Sequence, residues 1–516
     1  MKAVSTVPAS PESGGSPEGH STPQRSLRRL GRDTVVYGVA MVLSRLVSFV
    51  MLPIYTRYLT PADYGLLSIL DLSLEIAVLL LSAGATAGLM RFYFKAKEAE
   101  ERNQVLYTAW ATTTSLYAVG TVLLMVVAPL IWKYALGGAG TVGMVRLAAM
   151  NFTLSSLMIV PTEMLIIDQR PTASSIVLTL KLVLQLSLNI LFVVVLKAGP
   201  IGVLWSTFIS SLVLGLVLTV LLLRRTGIAW SWPAFRDLRR FSLPIQLSKA
   251  GTFFLAYGDR FFLEKFHGLA VVGVYGIAYQ FGFIVTGMLW GPFWQAWNPQ
   301  RFQLAHDERS HRDALYNRGF LYGNMFIVSG AVGISLFIRP ALDIMTTAKF
   351  HSAAAFVPLI VLAYVFQCWS NVVDFGIEVS EKTRYTSMAT WIAVGVIAVL
   401  YVLLIPPYGA MGAAIATLVA MFVRFLATLH FAQRLWPVSY HWAPHIRMVL
   451  GGIGVTIGAL LVPAGGVIAL VAVASVGFLV YLAWVWAAVL HADDRATIAL
   501  IVKSPRSLPA ILRGAA

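Results

Sequence analysis

The chain has 516 residues, of which 58% are hydrophobic and 12% charged, and its formal net charge is +16. An apolar fraction this high exceeds what a soluble core requires, so the excess is expected to face lipid. The basic excess is then typical of a membrane face that meets anionic lipid headgroups, which argues against nucleic acid as a partner.

Apolar runs of about 20 residues, the length that crosses a bilayer core, recur along the whole chain. They predict an all-α polytopic membrane protein of about fourteen transmembrane helices. The expected spans are 34–56, 64–89, 105–131, 143–165, 173–196, 201–223, 243–265, 270–297, 316–338, 355–377, 386–406, 409–432, 446–463 and 467–490.

The two ends of the chain are expected to be tails. Residues 1–32 are rich in Pro, Ser and Gly and end in an Arg cluster, which predicts a disordered basic cytoplasmic tail. The first apolar run is too long for a signal peptide and is followed at once by another span. Residues 491–516 carry further basic residues and predict a second cytoplasmic tail.

The loops between the expected spans alternate between basic and nearly uncharged. Basic residues concentrate on one side in segments that include Arg28, Arg29, Arg32, Arg236, Arg239 and Arg240. The positive-inside rule therefore places both termini in the cytoplasm. The prediction is a multi-pass protein of the cytoplasmic (inner) membrane.

A basic stretch, 224–242, divides the chain. It predicts an N-terminal lobe of spans 1–6 at 33–223, a cytoplasmic linker at 224–242, and a C-terminal lobe of spans 7–12 at 243–433. Spans 13 and 14 follow within 434–490. No loop is long enough to hold a separate soluble domain.

The two predicted lobes share a short internal repeat. Arg57-Tyr58, Ala62 and Gly65 match Lys265-Phe266, Ala270 and Gly273 at one constant offset, each at the turn after the first helix of its lobe. With the six-plus-six layout, this indicates parallel repeats related by an axis along the membrane normal.

The same turns carry a family resemblance. The stretches LPIYTRYLTPADYGLLSIL (52–70) and YGDRFFLEKFHGLAVVGVYGIAYQ (257–280) resemble the polysaccharide flippase branch of the multidrug/oligosaccharidyl-lipid/polysaccharide exporter superfamily. The similar layout runs from about residue 33 to 490. It implies two six-helix lobes around a central cavity, two extra C-terminal helices, and export of polyprenyl-diphosphate-linked oligosaccharide with the tail along the last two spans. The bilayer is then a partner, and a polysaccharide polymerase or glycosyltransferases are candidate protein partners.

Several ionisable side chains fall within the expected spans, where each costs at least about 2.5–3.5 kcal/mol and normally faces a cavity or a partner. Arg45 lies near the middle of the first span. Polar stripes at helical spacing follow in the second, fifth, seventh and tenth spans: Ser68, Asp71, Glu75, Ser82 and Thr86; Ser174, Lys181, Gln185 and Asn189; Gln246, Lys249, Tyr257, Arg260 and Glu264; Gln367, Ser370, Asn371, Asp374 and Glu378.

The functional interpretation is that the stripes face one water-filled cavity that binds the substrate. The expected substrate-binding residues are Arg45, Lys181, Lys249, Arg260, Gln185 and Gln246. Arg45 and Arg260 are the first choices for the diphosphate, because a guanidinium makes forked hydrogen bonds to phosphate. The alternative is that these charges pair between helices, with Asp259 on Arg260 and Asp71 or Glu75 on Arg45.

Asp71 and Glu75 lie one helical turn apart and would repel each other if both were ionised. This arrangement suits a proton or sodium coupling site. A simple counter-ion role toward Arg45 is an equal alternative.

Trp290, Trp294 and Trp297 recur at helical spacing, which favours an interfacial aromatic belt over sugar stacking. The chain has no Gly-rich phosphate loop, no HExxH and only one cysteine, Cys368, so no cofactor, metal site or enzyme activity is expected.

Two alternatives to a flippase stay open. One is a drug/cation antiporter of the same superfamily, and the other a membrane glycosyltransferase or polymerase, which would need an acidic motif in a sizeable external loop.

Overall fold

The computed structural model of the protein describes residues 51–81, 88–168, 171–304, 308–490 and 495. Within these residues the chain is helical, and no β-strand occurs. The predicted tails, 1–32 and 491–516, lie outside the described residues except for Arg495. The first predicted span is described only from residue 51.

The N-terminal half consists of seven helices in the described part of the chain. Helix α6 continues into a π-helical segment, Ile190–Val195. The helices are α1 (51–58), α2 (Pro61–Leu81), α3 (Leu89–Lys95), α4 (Ala99–Tyr134), α5 (Val142–Ile167), α6 (Pro171–Asn189) and α7 (Gly199–Thr226).

The C-terminal half follows, and two further helices complete the described chain. The short connecting segments are π-helical at Val285–Trp290 and Val485–Val489 and 3-10 helical at Ala348–Ala355. The half comprises α8 (Trp232–His267), α9 (Leu269–Ile284), α10 (Gly291–Leu304), α11 (Arg309–Met345), α12 (Val357–Val373), α13 (Phe375–Val379) and α14 (Arg384–Leu435). The further helices are α15 (Trp442–Leu461) and α16 (Val467–Trp484).

The all-α polytopic architecture predicted from the sequence is confirmed. Ten helices of the described chain are long and apolar enough to cross a membrane. One of them, α14, has 52 residues and bends at Gly409 (φ 54°), so it holds the predicted eleventh and twelfth spans. Apolar side chains such as Val126, Leu403 and Ile468 are exposed on the outside of the bundle, where lipid would cover them.

Helix α8 begins inside the predicted linker. The Ser231 side chain accepts a hydrogen bond from the Ala234 amide and caps the helix start. Leu238 is buried, and Phe241 packs edge-on against Phe92 of α3. The second part of the stretch 224–242 is therefore helical and packs on the N-terminal half before α8 enters the membrane.

The two halves meet where α2 crosses α9. A Cβ atom on Gly65 would lie 1.9 Å from the Leu269 carbonyl oxygen, and one on Gly273 would lie 1.9 Å from the Pro61 carbonyl oxygen. Gly65 and Gly273 are related by the constant offset of the predicted internal repeat, and so are Pro61 and Leu269. The crossing is therefore reciprocal, and each repeat contributes a glycine and the carbonyl that the other glycine contacts.

Further contacts join the halves at the same end of the bundle, which we call the crossing end. Gln280 of α9 donates a hydrogen bond from Nε2 to the Tyr64 hydroxyl of α2. The Tyr64 ring packs edge-on against Phe350, with centroids 6.3 Å apart. Thr347 Oγ1 donates to the Thr56 carbonyl oxygen at 3.2 Å. These contacts close the space between the halves at the crossing end.

The aromatic-belt interpretation is wrong for two of the three tryptophans. Trp290 and Trp297 are only 5% and 6% exposed, and Trp297 packs on α11 where Gly319 leaves room for its ring. Trp290 stacks on Trp294 with centroids 4.9 Å apart. The indoles fill the interior of the C-terminal half because α10 packs against α11 on that face.

We expect Gly65→Ala to loosen the crossing. Its methyl group would overlap backbone atoms, which cannot rotate away, so α2 and α9 must separate at a cost of about 1–3 kcal/mol. The midpoint of thermal unfolding of the purified protein should fall. The control is Gly276→Ala on α9, whose new Cβ would lie 4.0 Å from its nearest neighbour, the Tyr64 ring. Equal midpoints for the two variants would contradict the packing argument.

Candidate functional site

A cavity of about 740 Å³ lies between the two halves. Helices α1, α2, α4, α5, α6 and α7 form one wall, and α8 and α9 form the other. Because both halves contribute, the cavity would change shape whenever they move against each other. Its polar lining comprises Tyr55, Tyr64, Ser68, Asp71, Glu75, Asn151, Ser155, Gln185, Thr207, Arg260 and Gln280.

Helix α2 presents its predicted polar stripe to this cavity. Ser68, Asp71 and Glu75 all line it, and both carboxylates are exposed, while Leu70 and Leu72 between them are buried. Neither carboxylate has an ion-pair partner among the described residues. The remaining members of the stripe, Ser82 and Thr86, lie outside the described residues.

Helix α6 contributes one of its predicted polar residues to the cavity wall. Gln185 donates a hydrogen bond from Nε2 to Thr207 Oγ1 of α7 at 3.1 Å, which fixes its amide. Lys181, one turn away, is half-buried and is not among the residues that line the cavity. The structure therefore brings Gln185, and not Lys181, to the described cavity.

Arg260 lines the opposite wall but is already paired. The side chain is buried, and its Nη1 donates to Asp259 Oδ1 at 3.3 Å. Asp259 Oδ2 accepts from Tyr275 at 2.9 Å and from Tyr279 at 2.7 Å. The Tyr279 ring lies 4.3 Å beneath the guanidinium. This satisfied network fits the pairing alternative for Arg260, because a buried charge is stable only when it is paired and hydrogen-bonded.

Three predicted site residues are not placed by the structure. Arg45 lies outside the described residues. Gln246 and Lys249 belong to α8, but their side chains also lie outside the part of the chain that is described. Their roles in substrate binding stay predictions.

The polar stripe of the tenth span lies inside the C-terminal half and not at the central cavity. Arg301 of α10 donates to Asp374 Oδ1 at 3.2 Å and also pairs with Glu378. It further donates to the Asn371 carbonyl oxygen at 3.1 Å and lies 4.3 Å from the Trp294 ring centre. This stripe therefore neutralises a buried arginine inside the C-terminal half and does not line the central cavity.

Sequence reasoning missed several residues of the cavity wall. Tyr117 and Phe152 stack with centroids 4.1 Å apart and present an aromatic surface. Asn151 donates to the Leu204 carbonyl oxygen at 3.1 Å, but its buried Oδ1 has no partner among the described residues. None of these three residues belongs to a periodic polar pattern on its helix, so the sequence did not mark them as part of a cavity wall.

A family model described as polysaccharide biosynthesis protein matches residues 54–355. An uncharacterised membrane protein of Methanocaldococcus jannaschii is 22% identical over 237 residues, which cover 44% of this chain and 45% of that protein. The match thus spans about half the length of that curated relative.

Solved structures share the fold over most of the chain. Lipid II flippase MurJ in an inward closed conformation superposes with a TM-score of 0.66 at 13% identity, covering 87% of this chain and 98% of that chain. An inward-facing multidrug resistance MATE family transporter of the MOP superfamily gives a TM-score of 0.60 at 14% identity, over 77% of this chain and 97% of that chain. At these identities the likeness concerns the fold alone.

We expect Asp259→Asn to destabilise the protein strongly. The change leaves Arg260 buried without its carboxylate, a loss of about 3–5 kcal/mol for a buried pair. Folded yield and the thermal midpoint of the purified protein measure the effect. Asp237→Asn on the same helix is the control, since Asp237 is exposed. The double change Asp259→Asn, Arg260→Met should recover much of the loss, and an unaffected single variant would refute the pairing argument.

Proposed function

Because the chain belongs to the family of polysaccharide biosynthesis proteins, we propose that it is a flippase, not an enzyme. The proposed cargo is a polyprenyl-diphosphate-linked oligosaccharide, moved across the cytoplasmic membrane for cell-surface or exopolysaccharide assembly. The observation that carries the proposal is the polar cavity that both halves line within a bundle of membrane helices. Transport would proceed by alternating access as the halves separate and close again at the crossing end.

The N-terminal wall of the cavity suits the sugar. Amide and hydroxyl groups can form hydrogen bonds with sugar hydroxyls. Asn151 and Gln185 supply amides and Thr207 a hydroxyl, from three different helices. The stacked pair Tyr117 and Phe152 adds a flat apolar surface for the faces of sugar rings. A partly unsatisfied buried amide such as Asn151 gains most from a polar ligand.

A separate apolar groove suits the polyprenyl tail. It has a volume of about 480 Å³ and is lined by α11, α12, α14 and α15. Its lining includes Val332, Leu362, Leu418, Ile453 and Leu460. An apolar groove lets the tail remain in hydrocarbon-like surroundings, so moving the tail from lipid into it exposes no apolar surface to water.

The proposal keeps the predicted organisation. The lobes are 33–223 and 243–433, spans 13 and 14 lie within 434–490, and the linker 224–242 and both termini are cytoplasmic. Gln185 is proposed to bind substrate from the cavity wall, and Arg45, Lys249 and Gln246 to bind it as well. Lys181, which does not line the described cavity, would reach the substrate only when the halves move, and Arg260, paired with Asp259, would contribute as part of the wall. Asp71 with Glu75 is proposed to couple transport to an ion. A polysaccharide polymerase or glycosyltransferases are the proposed protein partners.

A second candidate, a drug/cation antiporter, is favoured by one specific observation. In the described cavity wall the two carboxylates of α2 have no ion-pair partner, whereas Arg260 is paired with Asp259. A wall of that charge attracts cations. The two candidates therefore differ in the sign of the substrate charge that the cavity accepts.

One reconstitution experiment tests both candidates. Proteoliposomes carry a fluorescent polyprenyl-diphosphate disaccharide, and externally added dithionite bleaches the fluorophore only in the outer leaflet. A flippase exchanges the lipid between leaflets, so nearly all fluorescence is lost. Bleaching that stops at about half, together with gradient-driven ethidium transport by the same vesicles, would favour the antiporter and refute the flippase.

The proposed topology predicts which face of the membrane exposes the linker. With Cys368 replaced by Ala, a cysteine at Asp237 should react with an impermeant maleimide only after cells are permeabilised. A cysteine at Lys133, near the end of α4, should react in intact cells, since both side chains are exposed on opposite ends of the bundle. Labelling of Asp237→Cys from outside would overturn the topology.

The coupling proposal predicts the behaviour of neutral α2 variants. The protein with Asp71→Asn and Glu75→Gln should fold normally, because both carboxylates are exposed to the cavity and unpaired among the described residues. Its lipid exchange should no longer respond to an imposed proton or sodium gradient. Dependence on the gradient at the wild-type level would eliminate Asp71 and Glu75 as the coupling site. A fall in folded protein that neutralising Arg45 rescues would assign them a counter-ion role instead.

A further inference from the structure

A second pocket lies inside the C-terminal half, beside the central cavity. It has a volume of about 90 Å³ and is enclosed by α8, α9, α12 and α14. Tyr279 and Phe283 line both spaces, so the pocket adjoins the cavity. Its size leaves room for a cluster of waters or a small anion.

The polar groups of this pocket suit a phosphate. Arg424 of α14 supplies a guanidinium, Gln367 of α12 an amide, and Thr252 and Thr417 hydroxyl groups. Arg424, Gln367 and Thr252 can donate hydrogen bonds into the pocket, and they come from three different helices. Thr417 Oγ1 already donates to the Ala413 carbonyl oxygen at 3.0 Å. No carboxylate lines the pocket in the described part of the chain. A convergent set of donors without an acidic residue selects for an anion.

Arg424 is half-buried and differs from the buried arginines of the described C-terminal half. Arg260 pairs with Asp259, Arg301 with Asp374 and Glu378, and Arg312 with Asp313, as their contacts record. Arg424 makes no ion pair, and its guanidinium makes no hydrogen bond, among the described residues.

Asp374 of the neighbouring α12–α13 junction makes no ion pair with Arg424 in the described part of the chain. Oδ1 of that carboxylate accepts from Arg301 at 3.2 Å, so its charge is already engaged. An unpaired cation within a membrane span is costly, and the pocket beside Arg424 has room for an anionic partner. Arg424 lies near the middle of the second part of α14, far from either helix end.

We propose that this pocket binds the diphosphate of the transported lipid, with Arg424 as the principal contact. The inference rests on the proposed flippase function and assigns the anionic head to the C-terminal half. Arg260, whose guanidinium is held by Asp259, then shapes the cavity wall and holds Tyr279 between cavity and pocket. The sugar would extend from the pocket toward the polar wall of the N-terminal half.

The test uses the full chain in phosphatidylcholine nanodiscs, with inorganic pyrophosphate as the probe in isothermal titration calorimetry. Arg424→Gln should weaken pyrophosphate binding about tenfold or more, because charge-assisted hydrogen bonds to the anion are lost. Arg424→Lys should bind at an intermediate level, since it keeps the charge but not the fork. The matched control is Arg434→Gln on the same helix, where the side chain is exposed and binding should be unchanged.

A variant at a second position keeps the test valid if Arg424→Gln folds poorly. Gln367→Leu preserves side-chain size, removes one donor and should also weaken binding several-fold. Equal affinity in wild type, Arg424→Lys and Gln367→Leu would overturn the proposal. Pyrophosphate binding that a polyprenyl diphosphate fails to displace would assign the pocket to a free anion and would also overturn it.

The outcomes separate this site from the proposed function. If wild-type protein binds pyrophosphate but exchanges no lipid-linked sugar, and Arg424→Gln loses the pyrophosphate binding, the anion pocket is retained and the flippase is refuted. Normal lipid exchange by an Arg424→Gln protein that also binds pyrophosphate normally would retain the flippase and refute the pocket.

Discussion

The crossing of α2 and α9 is the contact on which the rest of the structure depends. Gly65 and Gly273 bring two backbones to van der Waals distance, and each lies against a carbonyl of the partner helix. Without a driving force from water, membrane helices associate through such close packing. The halves therefore meet at the crossing end, and the cavity lies between the helices that diverge from it. In the proposed alternating-access cycle, this contact has to part.

The distribution of charge follows from the cost of burying ions in a membrane domain. In the described C-terminal half, Asp259, Asp374 and Glu378 neutralise two arginines and stabilise a compact bundle. Asp71 and Glu75 face the central cavity instead, where water or a ligand can solvate them. Charges that pair within the C-terminal half are thus separate from charges that face a cavity and are available to ligands. In our proposal Arg424 belongs to the charges that are available to ligands.

The sequence predicted the spans because every backbone hydrogen bond must be satisfied within the membrane, so long apolar runs become helices. It also placed Asp71, Glu75, Gln185 and Arg260 at one cavity, since polar stripes turn away from lipid. Periodicity identifies a helix face but not its neighbour. For that reason the pairing of Arg301 with the tenth span, the burial of Trp297 and the contact between Gly65 and the α9 backbone emerged only from the structure.

The account is tested most directly by fixing the crossing end. Thr347 Oγ1 lies 3.2 Å from the Thr56 carbonyl oxygen, so cysteines at these two positions, with Cys368 replaced by Ala, can be joined by a short cleavable crosslinker. Exchange of a fluorescent polyprenyl-diphosphate disaccharide is then measured in proteoliposomes. Our account predicts that crosslinking stops exchange and that cleavage restores it. Exchange at the full rate while the two halves are covalently joined would contradict alternating access through this contact.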